Sequence, residues 1–240
     1  MSKQTKKLPR PAEKTIEAVL DEFLKEQQER LKPSTMRKYE DIIDLFRACL
    51  DNYAYQGLNK EESALFDRLY NAEGDKHREF CQLFGPEKIP GSVGEFLNYF
   101  MIRKVMGSKE LKQAAGRVIK KLGKWLALKG YVEPERAGEM TDRGATAAKE
   151  LPATEELAWM LTDYAGGTAM DYDDVIEDHF TIEAVESGKL HLSALTGDEQ
   201  ITIPVSPEIS NACQVGWSIS GAIGKTGRGW RILEAWNVYP

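Results

Sequence analysis

The sequence predicts an α+β protein: an N-terminal all-α helical bundle followed by a small antiparallel β-barrel or curled sheet. Two observations carry this. Apolar residues recur every three or four positions through most of residues 13–129 and again over 154–164, then alternate in twos beyond Asp174. Charge divides in the same way. Residues 1–150 hold 28 basic and 24 acidic side chains, a net of +4, whereas residues 151–240 hold 4 and 14, a net of −10, within a 240-residue chain of net −6. With 42% apolar residues and five Trp the chain can build a sizeable core.

In the first half, Ile16, Val19, Leu20, Phe23, Leu24 and Leu31 fall at helical spacing, predicting a helix over 13–31 that Pro33 stops. Ser34 then reads as the N-cap of a second helix with the stripe Met36, Tyr39, Ile42, Ile43, Phe46, Cys49, Leu50 and Tyr53, ending near Gly57. Shorter helices follow at Glu61–Tyr70 and His77–Phe84, with turns at Gly85-Pro86 and Pro90-Gly91. Residues 92–106 predict a largely buried helix, and 109–129 a strongly amphipathic one that Gly130 closes. Residues 133–150 are polar and aperiodic and read as a linker, before a helix over Thr154–Tyr164 that Gly166-Gly167 breaks. The domains expected are a disordered tail over 1–12, a bundle over 13–132, a linker over 133–152, and a helix with a small β domain over 153–240.

Five strands are predicted in HFTIEAVE, KLHLSAL, EQITIPV, VGWSISGAI and GWRILEAWNVYP. Ser187-Gly188, Thr196–Asp198 and GKTGRG supply hairpin turns, and a short helix falls near Pro207–Cys213.

Residues 101–130 carry nine Lys or Arg (Arg103, Lys104, Lys109, Lys112, Arg117, Lys120, Lys121, Lys124 and Lys129) against one acid, Glu110. A helix that needed only solubility would gain from Glu and Lys mixed at i,i+4. Cation set beside cation instead suits a phosphate polymer, whose counterions such residues displace. Nucleic acid is therefore the expected partner.

The run Thr15–Val132 also resembles the N-terminal SAM-like, core-binding domain of tyrosine recombinases and phage integrases. The matching segments are VLDEFLKEQ, then PSTMRKYEDIIDLFRACL with Thr35 and Tyr39 four apart, then SKELKQAAGRVIKKLGKWLALKGYV. The resemblance implies a four- or five-helix bundle clamping one face of duplex DNA, so that the partner it implies is double-stranded DNA. Lys109, Lys112, Arg117, Lys120, Lys121 and Lys124 would lie along groove or phosphates, and Ser34, Arg37 and Lys38 would meet the backbone. The family's catalytic domain, with its Arg, Lys, His-x-x-Arg and nucleophilic Tyr, has no counterpart: none of His77, His179 and His191 has Arg three residues later, and too few residues follow Val132.

Other chemistry finds little support. GAIGKTGRG lacks the leading glycine of a phosphate loop and runs into a strand, so it reads as a hairpin. The acids Asp171, Asp173, Asp174, Glu177 and Asp178 lack the EF-hand spacing, and His179 and His191, on separate predicted strands, lack a third zinc ligand. Cys49, Cys81 and Cys213 are scattered and read as reduced thiols. Trp230 and Trp236, even-spaced on one strand, are expected on one side of the sheet, filling a barrel core or forming an aromatic face of the kind that SH3-like and OB-like barrels use.

The function expected is non-enzymatic DNA binding, without cofactor or metal, in a cytoplasmic protein with neither signal peptide nor membrane span. The acidic β domain is expected to contact a protein or self-associate. The alternative is a protein-interaction scaffold whose basic helix docks on the acidic half.

Overall fold

The computed structural model describes residues 10–165, 172–197 and 200–240. Helices come first: α1 (Ile16–Gln28), α2 (Pro33–Tyr53), α3 (Lys60–Tyr70), α4 (Phe80–Leu83), α5 (Val93–Glu95), α6 (Met101–Arg103), α7 (Lys109–Lys129) and α8 (Pro134–Ala165). Strands β1 (Asp174–Glu186), β2 (Lys189–Ala194), β3 (Gln200–Pro204), β4 (Ser218–Thr226) and β5 (Gly229–Tyr239) follow, with α9 (Pro207–Ala212) between β3 and β4. The chain forms two compact units, Met1–Phe100 with Ala114–Ala147, and Met101–Gln113 with Ala148–Pro240. The chain thus passes from one unit to the other within α7 and again within α8.

The first unit is all helical. Thr15 caps α1, its hydroxyl accepting from the Ala18 amide at 3.2 Å. Pro33 is the first residue of α2 rather than the stop for α1, so Ser34 lies inside the helix and not at its cap. Proline suits that position because its missing amide has no partner there anyway. Asn59 and Glu62 make a reciprocal capping box on α3. The core gathers Phe23, Ile43, Phe46, Phe80, Phe96 and Leu122, all at most 1% exposed, with the Phe46 and Phe96 ring centroids 4.9 Å apart. Residues 92–106 do not form the single helix expected. They break into the end of a 3₁₀ segment, α5, a π turn over Phe96–Phe100, and α6. Gly91, Gly94 and a run of aromatic and β-branched residues are weak helix formers, and burial of Val93, Phe96 and Leu97 holds the irregular path.

The larger correction is α8. The polar stretch read as a linker over 133–152 is the first half of a 32-residue helix, with Pro152 inside it. Its inward side is made of small residues. A Cβ on Gly144 would sit 2.5 Å from the Lys120 amide nitrogen and 2.7 Å from the Gly116 carbonyl oxygen, and one on Gly123 would sit 2.8 Å from Thr141 Oγ1. Helices α7 and α8 therefore approach closely along Gly116, Gly123, Ala137 and Gly144, a seam in which Met140 is the one large apolar side chain among those facing these glycines. Gly130 ends α7 at φ +70°, with the Tyr131 amide on the Leu126 carbonyl (3.0 Å) and the Gly130 amide on Ala127 (3.1 Å), both bonds of a Schellman closure.

The second unit holds a five-stranded antiparallel sheet in the order β3-β2-β1-β4-β5, curled but not closed. Gly188 (φ +79°) and Gly229 (φ +108°) take the turn conformations that the glycine-marked hairpins required. Leu157 and Leu161 of α8 pack on the sheet with Phe180, Leu190, Ile203 and Trp217. The Thr162 hydroxyl donates to the Ala235 carbonyl at 2.9 Å. Trp230 and Trp236 do not share a face. Residues 230, 232, 235 and 238 of β5 are buried, because the register with β4 slips near Leu233 and again near Trp236. Each extra residue flips the alternation, leaving Trp230 9% exposed and Trp236 49%.

The tail residues 1–9, Gly166-Gly167, Asp171 and Asp198 lie outside the described residues; Ala12, within the expected tail, donates its amide to the Leu83 carbonyl at 2.8 Å. Among the described residues no helix is long and apolar enough to cross a membrane.

Candidate nucleic-acid interface

Helix α7 forms as predicted, but its free side is narrower than its sequence suggested. Ala115, Val118, Ile119, Leu122, Trp125 and Leu126 are buried in the first unit, and the seam with α8 buries Gly116 and Gly123 as well. What remains outward is a strip through Arg117, Lys120, Lys121 and Lys124. Arg117 and Lys124 are exposed and the two lysines between them half-buried. Among the described residues none of the four makes an ion pair or hydrogen bond. Four neighbouring cations without a direct ion pair raise the local potential and destabilise the helix by mutual repulsion, a cost that a polyanion would relieve.

The first turn of α7 behaves differently. Lys112, expected to face DNA, is 2% exposed and forms an ion pair with Glu155, while Lys109 pairs with Glu156 at 2.8 Å. All four residues belong to the second unit, where α8 presents its two glutamates to the start of α7. A wheel drawn from the apolar stripe alone could not foresee this, because the stripe ends before the segment does and Lys112 buries its methylenes instead. Lys112, buried, therefore cannot face a duplex as expected, whereas Lys109 stays exposed with an acidic partner beside it. Lys129 is likewise engaged, bound to Glu26 and lying 3.5 Å from Glu22. The bond from Lys129 and that from the Trp125 indole (2.8 Å) hold the Glu26 carboxyl below its ordinary pKa. Arg103 and Lys104, both exposed, belong to the second unit and not to the strip's own.

On α2, Ser34, Arg37 and Lys38 are all exposed on the first turns. Between them and α7 stands a cation that the sequence reading overlooked. Arg30 lies in the α1–α2 turn, where its Nε donates to Gln27 Oε1 at 3.1 Å, and Gln27 itself is 1% exposed. A buried amide thus fixes the guanidinium and leaves other N–H groups outward. Arg30, Lys121 and Lys124 line one cleft of about 550 Å³ with Trp125 as a wall, together with Glu26, which Lys129 and the Trp125 indole already engage, and Glu29. The Arg30 charge also reaches Tyr39, although burial still raises that phenol's pKa. Arg30 was hidden because α1 was read as running to residue 31; it ends at Gln28, and the freed turn carries the arginine outward.

Among the described residues the cysteines are free thiols, Cys49 and Cys81 buried and Cys213 half-buried, and no three metal-ligating side chains converge. Burial pushes the Cys49 and Cys213 thiols up to about 12 and raises that of Cys81 too, the reverse of what a nucleophile needs. His179 pairs across strands with Ser220 and His191 with Thr202, so the two histidines do not meet. GKTGRG is the β4–β5 hairpin, turning at Gly227-Arg228 with the Thr226 hydroxyl on the Gly229 carbonyl at 3.1 Å.

Compared with known proteins, the chain matches no family model, no curated protein and no solved structure.

Proposed function

We propose that this protein binds double-stranded DNA without catalysis, through the strip Arg117–Lys120–Lys121–Lys124 on α7, extended by Arg30 and by Ser34, Arg37 and Lys38 on α2. The observation that carries this reading is the uncompensated charge of the strip, in a protein whose net charge is −6 and whose other α7 cations already have acidic partners. A surface cation normally finds a nearby acid or stands alone. Four adjacent ones left unpaired, beside an arginine fixed by a buried glutamine, match what a phosphate backbone demands. The resemblance to the recombinase core-binding domain points the same way and supplies the duplex form of the partner. With no strand-cleaving residues, the module would hold DNA for another protein rather than cut it.

A second reading has its own observation. Glu155 and Glu156 show that amines of α7 are good partners for acidic helices, so the strip could instead face an acidic protein. The full chain separates the two, since α8 packs closely on α7 at Gly116, Gly123 and Gly144 and a fragment ending near residue 132 would lose that contact. Titrating a labelled 20-bp duplex against the chain and against the triple variant K120Q/K121Q/K124Q should show binding that the variant weakens at least tenfold for every duplex sequence. K109Q, whose partner is Glu156, should bind as the parent does. Equal affinity of parent and triple variant would remove the strip from DNA binding.

A further inference from the structure

A cleft in the second unit, separate from the basic strip, lies between α8 and β5 and has a volume of about 590 Å³. Trp159 from α8 forms one wall and Trp236 from β5 another, with Met106 beside them; they are 68%, 49% and fully exposed. Large apolar side chains in water at one concave site are unusual for a monomeric surface. Each has a local cause. Trp159 follows the helix face that turns Leu157 and Leu161 into the sheet, and the bulge in β5 throws Trp236 outward, where its indole donates to Glu234 at 2.9 Å. Neither indole stacks on another described aromatic ring, and each leaves about half or more of its surface to solvent.

The floor is polar. Lys112 and Glu155 are paired there, Thr154 donates to the Leu151 carbonyl (3.1 Å), and Asn237 lies alongside. With Lys112 neutralised by Glu155, the one lining charge that lacks an ion pair among the described residues is Arg103. The unit around it is acidic, nine basic against sixteen acidic side chains in its sequence, which repels a polyanion but tolerates a single carboxylate held by arginine.

We propose that this cleft binds an extended polypeptide segment presenting one Asp or Glu next to a large apolar side chain. The apolar group would enter between Trp159 and Trp236, and the carboxylate would take the Arg103 guanidinium in a forked pair. A protein partner fits better than nucleic acid because exposed Trp, Met and Arg around a concave centre have the composition of protein-binding hot spots. Base stacking on the same indoles would have to bring a string of phosphates against the acidic unit.

The test is selection of a displayed random 12-residue peptide library on the full chain, with counter-selection on the W159A/R103Q variant. Trp159 and Arg103 are exposed, so the variant should keep the parent circular dichroism and melting temperature. The expected outcome is enrichment of peptides with an acidic residue within three positions of an aromatic or leucine. Synthetic copies should lose at least tenfold in affinity against R103Q and again against W159A. Replacing their acid by the amide should cost the parent tenfold but R103Q little. Absence of enrichment over the variant, selection of peptides lacking an acid, or tighter binding of a twelve-residue oligothymidylate with quenching of tryptophan emission would each overturn the proposal.

Discussion

At the level of single residues, the buried pair Lys112–Glu155 fixes the start of α7 more firmly than its helix propensity does. Removing one partner strands the other's charge in a poorly hydrated site. Lys112→Ala or Glu155→Ala should therefore cost roughly 3–5 kcal/mol, discounted towards the lower end because Glu155 keeps a quarter of its side chain in water. Replacing both, as in K112M/E155L, should recover most of the loss, as read by urea unfolding. His77 gives a pH-dependent counterpart. Its Nε2 faces Glu79 at 3.0 Å and its Nδ1 the Tyr70 carbonyl at 2.6 Å, so only the doubly protonated ring satisfies both acceptors. The Glu79 hydrogen bond first, and that to Tyr70 second, raise its pKa. A raised folded pKa means that the contribution is complete below the ordinary imidazole value, about pH 6.5, and fades as pH climbs through the folded value. Stability should fall over that interval in the parent and stay flatter in His77→Gln, with the imidazole titration followed by NMR.

Among the elements, those with large apolar residues at a regular period were legible. Helices α1, α2 and α7 and all five strands fall within a few residues of their predicted positions, because Phe, Ile, Leu and Val at fixed spacing specify both period and face. The first half of α8 was illegible for the opposite reason. Its buried face runs through Ala137, Met140, Gly144, Ala147 and Leu151, so glycine and alanine make most of the close approach and the large apolar residues are too sparse to be counted as a stripe. A matched pair of substitutions tests that explanation. Gly144→Val should lower the melting temperature markedly, by a loss on the order of 2 kcal/mol or more, since its side chain would collide with the Lys120 and Gly116 backbone. Gly138→Ala meets nothing within 4 Å and should leave stability unchanged or raise it by up to about 1 kcal/mol. The β5 bulges were hidden likewise, because alternation was assumed to persist where two extra residues reset it.

For the whole molecule, the charge asymmetry read from the sequence survives, but its arrangement is subtler than one basic half and one acidic half. Cations of the first turn of α7 are consumed by the acidic residues of α8, and those of its middle are not. The interface was thus half legible. Arg117, Lys120, Lys121 and Lys124 stay unpaired as their pattern suggested, the acidic partners of Lys109 and Lys112 depend on tertiary contacts that no sequence pattern carries, and the orientation of Arg30 depends on the buried Gln27. The division also makes a quantitative claim. If the strip and Arg30 are the phosphate contacts, each should contribute about 0.9 to the slope of log affinity against log salt, while Lys109 and Lys112 contribute nothing.

That slope, measured for the full chain on a 20-bp duplex between 50 and 300 mM KCl, tests the central claim most directly. The triple variant K120Q/K121Q/K124Q should flatten it by about 2 to 3, and K109Q should leave it unchanged. A slope near zero for the parent, or one that K109Q reduces as much as the strip's own substitutions do, would contradict the assignment of DNA binding to the outward cations of α7.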